Sequence, residues 1–285
     1  MSGAMSTKTR FETTGFTFED IHVSYRVGGA GYPLLLIHGS GPGASTIGNW
    51  RSVLEPLAQR YHVHAMDLIG FGGSDRKPQG PYFDFPLWLR QCRAMIEKMP
   101  GEKIGIIGHS ISGALALKLA ASEPRVGQVL TTGTMGAPYP LNDATVTCWT
   151  FPEDREALIA AARTLIADDT LIDETYLRNR EAVLRMPGYG AYFGEMFSGD
   201  KQRFINATVL TQAEIDAIRC PLTMLHGRQD QGFPIEPLTM ALSAKLPHAD
   251  VHLLAGCSHS VAMERPEALL NAANHLFPHE ISQAA

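Results

Sequence analysis

Residues 103–113 read KIGIIGHSISG, and this stretch indicates how the chain folds. The apolar run Ile104–Ile107 is typical of a buried strand, and the segment Ile111–Ser122, rich in small and apolar residues, is typical of a helix. Between them stands Ser110. A serine on a sharp turn that joins a strand directly to a helix is the arrangement of a serine nucleophile raised above a sheet. The stretch therefore predicts Ser110 as a catalytic nucleophile.

The neighbours of Ser110 fit such a turn. The backbone there is strained, so residues two positions away must be small. Gly108 meets this need, Ser112 is a mild departure from the usual glycine, and Gly113 allows close packing behind the turn. The turn also directs the backbone N–H of Ile111 toward the reacting carbonyl, which predicts half of an oxyanion hole.

The other half is predicted in residues 38–43, HGSGPG, which follow the apolar run Pro33–Ile37. A glycine-rich turn lets a backbone N–H approach the substrate, and that of Ser40 is best placed. An ordinary turn is the alternative interpretation. A phosphate-binding loop is disfavoured, because neither G-K-[ST] nor G-x-G-x-x-G is present.

A serine hydroxyl needs a base, and a neutral imidazole is the usual one. His259 directly follows the last apolar run, Val251–Leu254, so its ring should reach the sheet edge where Ser110 lies. A buried structural histidine is the alternative. The position after the final strand favours catalysis.

The residue that orients the base should follow an earlier strand. Asp230 lies in the loop after the run Leu222–Leu225, and the chain order serine, aspartate, histidine is the one this architecture gives. Asp230 could instead cap the next helix. Glu236 and Asp250 are rival carboxylates, less well placed at a strand end.

Short apolar runs alternate with amphipathic stretches, which predicts a doubly wound, mostly parallel α/β sheet. The strand Ile21–Val27 should pair antiparallel with residues 11–18. The predicted parallel strands are Pro33–Ile37, Val63–Met66, Ile104–Ile107, Gln128–Thr131, Leu222–Leu225 and Val251–Leu254. The predicted helices are Trp50–Arg60, Trp88–Met99, Ile111–Ser122 and Pro266–Leu276.

The alternation stops between the sixth strand and Leu222. We therefore predict a helical lid over residues 138–210, inserted into a core made of residues 1–137 and 211–285. We expect most of the lid's large apolar side chains to form its own core. These are Trp149, Phe151, Met186, Tyr189, Tyr192, Phe193, Met196 and Phe197.

The composition limits the partners. A net charge of −5 disfavours nucleic acid and anionic membranes as partners. The apolar run Ile111–Ala121 is too short to span a membrane, and residues 1–15 show no apolar region of a signal peptide, so we expect a cytoplasmic protein. The first four residues are interpreted as a cloning remnant. A homo-oligomer is left open.

The four cysteines are far apart and lack zinc-site spacing. We interpret them as free, buried thiols in a reducing compartment. The sequence predicts neither a metal nor a cofactor.

Taken together, these segments resemble the α/β-hydrolase superfamily over nearly the whole chain. More narrowly, they resemble the meta-cleavage-product hydrolases of bacterial aromatic-ring degradation. The matching segments are HGSGPG (38–43), DLIGFGGSD (67–75), the Ser110 turn, LHGRQD (225–230), and the lid segments LRNREA (177–182) and MPGY with MF (186–197).

The resemblance implies cleavage of a C–C bond in a 2-hydroxy-6-oxohexa-2,4-dienoate without a cofactor. It implies that the dienolate first becomes a ketone, and that addition to the C6 carbonyl then precedes cleavage. It also implies that Arg180 binds the substrate carboxylate, although a structural contact on the helix surface, with Tyr176 or with the neighbours of Glu181, is the alternative. The substrate site is expected to include Gly39, Gly41, His109 and Ser260 as well.

Three positions depart from the family. His109 stands where asparagine is usual, Ser112 where glycine is usual, and Ser260 where tryptophan is usual. A carboxylesterase or lactonase is therefore an alternative function, and a ligand-binding protein without turnover is a third. Serine rather than aspartate at position 110 disfavours a dehalogenase or an epoxide hydrolase.

Overall fold

The computed structural model describes residues 10–278 of the chain. The interpretation of the first four residues lies outside this range, as does most of the segment tested for a signal peptide. Eight strands of the described residues form one sheet in the order β1-β2-β4-β3-β5-β6-β7-β8. The strands are β1 (Glu12–Phe18), β2 (Ile21–Gly28), β3 (Tyr32–Ile37), β4 (Tyr61–Met66), β5 (Ile104–His109), β6 (Val126–Thr132), β7 (Leu222–Gly227) and β8 (Ala249–Leu254).

The expected sheet is confirmed. Strands β1 and β2 pair antiparallel, as do β2 and β4. All other neighbours, from β4 through β8, are parallel. Their carboxyl ends therefore meet at one edge, where the loops carrying Ser40, Ser110, Asp230 and His259 leave the sheet.

Helices cover both faces of the sheet. Alternate residues of β3 enter different cores: Leu35 and Ile37 pack into one cluster, while Leu34 and Leu36 pack into the other. The helices are α1 (Thr46–Trp50), α2 (Leu54–Ala58), α3 (Phe85–Lys98), α4 (Ile111–Ser122), α5 (Asp143–Cys148), α6 (Arg155–Arg163), α7 (Glu174–Leu184), α8 (Tyr189–Met196), α9 (Gln202–Thr208), α10 (Gln212–Ala217), α11 (Ala241–Lys245), α12 (Val261–Glu264) and α13 (Pro266–Leu276), with a 3-10 turn at Asp169–Leu171 and a π-helical turn at Glu236–Met240.

The predicted helix Trp50–Arg60 is wrong. Two short helices, α1 and α2, replace it, with a turn between Trp50 and Leu54. A continuous helix would need the backbone N–H of residue 56 to bond to the carbonyl of Ser52. Residue 56 is proline and has no N–H, so the ladder breaks there.

Helices α5 to α9 lie within the stretch predicted as the lid, and the described residues between β6 and β7 contain no strand. Its aromatic side chains pack together, as in the stacked pair Trp149 and Phe197, whose ring centroids lie 5.4 Å apart. Met186 does not join this core, because it is 38% exposed. The division into core and lid domains stays a prediction.

The four cysteines are free, but Cys220 is only half-buried, whereas the other three are buried. None of the helices within residues 10–278 has the length and apolar character needed to cross a membrane.

Candidate active site

Ser110 occupies a strained turn between β5 and α4. Its φ is +60° and its ψ is −123°, a backbone conformation that non-glycine residues rarely adopt. The chain around the turn is tightly packed. A Cβ at Gly108 would collide with the carbonyl oxygen of Ser112, and one at Gly113 would collide with the hydroxyl of Thr134. The expected need for small residues beside Ser110 agrees with this packing.

The structure gives a reason for serine at position 112. Its hydroxyl donates a hydrogen bond of 2.5 Å to the carbonyl oxygen of His38. This bond joins the first turn of α4 to the loop after β3. The two segments that carry Ile111 and Ser40, the expected oxyanion donors, are therefore held together by a direct contact that glycine cannot make.

The loop after β3 passes close to Ser110. A Cβ at Gly39 would lie 3.2 Å from the Cβ of Ser110, so glycine permits this approach. The hydrogen bonds within residues 10–278 leave the backbone N–H groups of Ser40 and Ile111 unused. The hydroxyl of Ser40 accepts a bond of 3.0 Å from the indole N–H of Trp149.

His38 supports this loop from within the core. Its Nε2 accepts a bond of 3.0 Å from the backbone N–H of Leu68, so its Nδ1 carries the proton and donates to the Gly39 carbonyl at 2.6 Å. Burial lowers the pKa of His38, although Asp67 nearby acts in the opposite direction. His38 is therefore a neutral structural group that orients the loop.

His259 and Asp230 meet at the sheet edge, as the sequence predicts. Nδ1 of His259 donates to Oδ2 of Asp230 over 2.6 Å, which leaves Nε2 of the neutral ring free to accept a proton. Burial alone would raise the pKa of Asp230, but His259 and then His226 hold it below its ordinary value. The rival carboxylates Glu236 and Asp250 are exposed.

Sequence reasoning missed His226, which also supports Asp230. Its Nε2 lies 2.8 Å from the carbonyl oxygen of Phe233 and 3.1 Å from Oδ2 of Asp230. A carbonyl oxygen only accepts hydrogen bonds, so Nε2 carries the proton. Nδ1 accepts from the hydroxyl of Thr239 at 2.7 Å.

The His259 ring is held between two others. It stacks on Phe233 with centroids 4.1 Å apart and lies 4.6 Å from the ring of His109. No hydrogen bond within residues 10–278 joins Ser110 to His259. Looser contacts between nucleophile and base are common before substrate binds.

His109 is buried beside the nucleophile. Its Nδ1 lies 3.1 Å from the carbonyl oxygen of Thr132 and therefore donates to it. Burial, and next the neighbouring His259, place its pKa well below the ordinary value, so Nε2 is an acceptor. Ser260, the other departure beside the triad, is half-buried, and its backbone N–H donates to the carbonyl of Leu165 at 3.0 Å.

Arg180 is buried on α7, not on a helix surface, with 7% of it exposed. Its Nη1 donates to the Pro42 carbonyl at 2.9 Å, and its Nε has no partner. It forms no ion pair with any carboxylate of residues 10–278. Cys148, which faces Gly41 together with Arg180, stays protonated because burial raises its pKa to about 12. The guanidinium lies 5.2 Å from the ring centroid of Tyr176, four residues earlier on the same helix, and no carboxylate of the described residues is bonded to it.

Among residues 10–278, no group of three or more histidine, cysteine, aspartate or glutamate side chains is placed to hold a metal ion. The polar groups at this edge of the sheet are the imidazoles of His109 and His259, the carboxylate of Asp230, two unused backbone N–H groups, and a guanidinium beside the loop after β3. This set suits acyl chemistry on an anionic substrate.

Comparisons with known proteins agree with this chemistry. The sequence profile of the alpha/beta hydrolase family matches residues 34–273. The 2-hydroxy-6-oxo-2,4-heptadienoate hydrolase of Pseudomonas putida F1 is 28% identical, over 88% of this chain and 91% of its own. The 2-hydroxymuconate semialdehyde hydrolase of Pseudomonas sp. CF600 is 31% identical over 83% of each chain. The solved meta-cleavage product hydrolase of Pseudomonas fluorescens has a TM-score of 0.87 at 26% identity, over 93% of this chain and 97% of that one.

Proposed function

The chain belongs to the alpha/beta hydrolase family, and on that premise we propose that it hydrolyses a C–C bond in a 2-hydroxy-6-oxohexa-2,4-dienoate. The resemblance to meta-cleavage-product hydrolases, first seen in the sequence motifs, is confirmed by the relatives that carry that activity in their names. Ser110, His259 and Asp230 are proposed as the catalytic groups, without a cofactor.

In this proposal the dienolate is first converted to a ketone, so that the carbon fragment becomes a tolerable leaving group. Ser110 or an activated water then adds to the C6 carbonyl, with Nε2 of His259 taking the proton. The backbone N–H groups of Ser40 and Ile111 stabilise the oxyanion. The C5–C6 bond then breaks, and the leaving carbon takes the proton held by His259 to give a 2-hydroxypenta-2,4-dienoate. If water added, the acyl part leaves directly as a carboxylic acid; if Ser110 added, a water molecule then hydrolyses the Ser110 ester to release that acid.

One observation carries the choice of substrate: the buried Arg180 has no carboxylate partner among the described residues. The guanidinium lies over the Tyr176 ring, 5.2 Å from its centroid, but this contact supplies no anion, and burying a cation without one is costly. A dienoate brings a carboxylate at one end of the molecule, and a guanidinium suits that planar anion because parallel N–H bonds can form. A simple ester has no such group.

His109 favours a second candidate, a carboxylesterase or lactonase. Histidine before the nucleophile is common in esterases, and the ring lies 4.6 Å from that of His259. The net charge of −5 does not distinguish an esterase from a C–C bond hydrolase. Neither does the triad, which serves both reactions.

The test compares both substrate classes on one preparation. Loss of the yellow colour of several 6-oxo-dienoates, which differ in the C6 substituent, is followed beside hydrolysis of 4-nitrophenyl esters. We expect kcat/KM for the best dienoate to exceed that for the best ester by at least two orders of magnitude. Ester turnover with no loss of dienoate colour would assign the chain to the esterases. The Ser110→Ala variant measures the background for both.

We also infer that the protein acts in the cytoplasm on a small anionic substrate, without nucleic acid or a membrane as a partner. The free thiols fit a reducing compartment. The net charge of −5 supports the absence of a nucleic-acid partner.

A further inference from the structure

Two imidazoles lie side by side next to the nucleophile, and each has one nitrogen without a partner. The ring centroids of His109 and His259 are 4.6 Å apart. Nδ1 of His109 donates to the carbonyl oxygen of Thr132 at 3.1 Å. Nδ1 of His259 donates to Asp230 at 2.6 Å. The hydrogen bonds of the described residues leave Nε2 of both rings unused, so the pair offers two neighbouring lone pairs.

Both Nε2 atoms stay in contact with solvent, although His109 and His259 are only 6% and 2% exposed. Within residues 10–278, the fully enclosed side-chain atoms that have no partner belong to Thr46, Trp50, Thr131, Arg180 and Tyr189. Neither Nε2 atom is among them. An acceptor in a nearly closed site that no protein group satisfies is satisfied by water, and a water molecule held there needs several polar partners. Two adjacent lone pairs meet part of that need.

The free edge of the His109 ring borders the carbon that carries the nucleophile. A Cβ at Gly39 would lie 3.0 Å from Cδ2 and 3.5 Å from Nε2 of His109, and 3.2 Å from Cβ of Ser110. Gly39 directly precedes Ser40, whose backbone N–H is an expected oxyanion donor. The free edge of His109 and the side chain of Ser110 therefore face the same glycine, beside the position that an acyl carbon must occupy for addition.

We propose that Nε2 of His109 and Nε2 of His259 together bind the water molecule that attacks the acyl carbon. The water donates one O–H to each imidazole, so that a lone pair of its oxygen is left to form the new C–O bond. His259 takes one proton and passes it to the leaving group, which is Oγ of Ser110 in an ester intermediate or C5 of the substrate in direct addition. The other proton stays on the oxygen, which becomes part of the carboxylic acid.

His109 serves this water as an acceptor and not as a second base. The Thr132 carbonyl holds the proton on Nδ1, and burial places the pKa of the ring well below its ordinary value, so the ring stays neutral. The inference rests on the proposed function only in the role of His259 as the base, and it holds for a dienoate or an ester.

A pair of acceptors distinguishes water from an alcohol. Water has two O–H groups and can donate to both imidazoles, whereas methanol has one and leaves the second acceptor unpaired. Leaving an enclosed acceptor unpaired costs free energy. The unmodified enzyme should therefore transfer its acyl group to water in preference to methanol, and this preference should depend on His109.

The experiment measures how the full-length enzyme divides the acyl group between water and methanol. A 6-oxo-dienoate and 4-nitrophenyl acetate are each turned over in buffer that contains a fixed share of methanol, and the carboxylic acid and its methyl ester are quantified. Their ratio reports the step in which the nucleophile adds, whichever step limits kcat.

Three variants are compared. His109→Phe keeps a ring without an acceptor, and His109→Gln supplies an amide oxygen in place of Nε2. Thr132→Val is the matched control, because it removes a hydroxyl that lies 2.9 Å from Nδ1, on the other side of the ring. The melting temperature of each variant is measured, and His109→Leu, which also lacks an acceptor, replaces the phenylalanine variant if that protein does not fold.

We expect His109→Phe to raise the ratio of methyl ester to acid about tenfold, since water loses one of two hydrogen bonds and methanol loses none. In buffer without methanol, kcat should fall. His109→Gln should bring the ratio back to within about threefold of the original, and Thr132→Val should leave it within about twofold.

An unmoved ratio in His109→Phe would overturn the inference. Equal rises in the phenylalanine and glutamine variants would also overturn it, because they would assign the effect to packing. Turnover of the ester alone would reject the C–C bond hydrolase, and the ratio measured with the ester would still decide the role of His109. If the unmodified enzyme turns over neither substrate, the proposed function fails and this inference fails with it.

Discussion

His226 places its Nε2 3.1 Å from Oδ2 of Asp230, the same oxygen that His259 contacts at 2.6 Å. One carboxylate oxygen thus receives two imidazole donors, while Oδ1 accepts from the backbone N–H of Phe233 at 2.9 Å. Asp230 is therefore fixed on both oxygens before it orients the proposed base.

Replacing His226 should impair catalysis without touching the substrate. We expect His226→Leu to lower kcat about tenfold, since one hydrogen bond to a charged group is lost. The acid limb of the pH–rate profile should move to higher pH, because a carboxylate that has lost one donor holds the proton it shares with the proposed base more strongly. His226→Gln, which keeps an amide donor, should recover part of the rate. Equal kcat and an unmoved acid limb in the leucine variant would contradict this.

Ser110→Ala should abolish turnover while the protein stays folded. Loss of the nucleophile in a serine triad typically costs three or more orders of magnitude in kcat. Stopped-flow absorbance should still show the dienoate binding to the variant, and circular dichroism should match the unmodified protein. A variant that keeps more than about a tenth of the original kcat would remove Ser110 from the mechanism.

Arg180→Gln should act selectively. Truncating one partner of a buried charge pair costs roughly 2–5 kcal/mol, so kcat/KM for a 6-oxo-dienoate should fall about 30-fold or more. Hydrolysis of 4-nitrophenyl acetate should stay within a few-fold. Arg178→Gln, an exposed arginine on the same helix, is the matched control and should change neither reaction. Equal losses on the two substrates would make Arg180 structural.

Stability should fall as the pH drops below about 6.5. Burial lowers the pKa of His64 to about 4 and also lowers those of His38 and His109 from the ordinary 6.5. In the unfolded chain these rings take up protons near pH 6.5, whereas the folded protein keeps them neutral. Each contributes up to ~1.4 kcal/mol of lost stability per pH unit until its folded pKa is reached.

Urea unfolding at pH 7.5, 6.0 and 5.0 measures this loss. The variant His64→Gln removes one of the three groups, so its free energy of unfolding should decline less steeply over the same range. Parallel slopes for the variant and the unmodified protein would show that His64 titrates normally in the folded state.

Features that depend on local sequence could be predicted. The Ser110 turn is set by residues within three positions of it, and buried parallel strands are continuous apolar runs, so both can be predicted from short stretches of sequence. The sequence also contains the signal for the break in the first predicted helix, because Pro56 lacks the backbone N–H that a continuous helix requires.

Other features depend on contacts between distant segments. The His226 imidazole gains its role because an irregular loop brings the Phe233 carbonyl to it, and no periodic pattern describes such a loop. In the sequence Ser112 is only a departure from glycine, because the acceptor of its hydroxyl, the His38 carbonyl, lies 74 residues away. Burial of Arg180 likewise follows from how α7 packs on the loop after β3.

The hydrogen bond from the Trp149 indole to the Ser40 hydroxyl ties the lid to the loop that carries a proposed oxyanion donor. Trp149 is the residue that ends α5, so a displacement of this helix from the sheet edge would remove that contact from the loop. The position of the lid and the shape of the oxyanion loop are therefore coupled through one side chain.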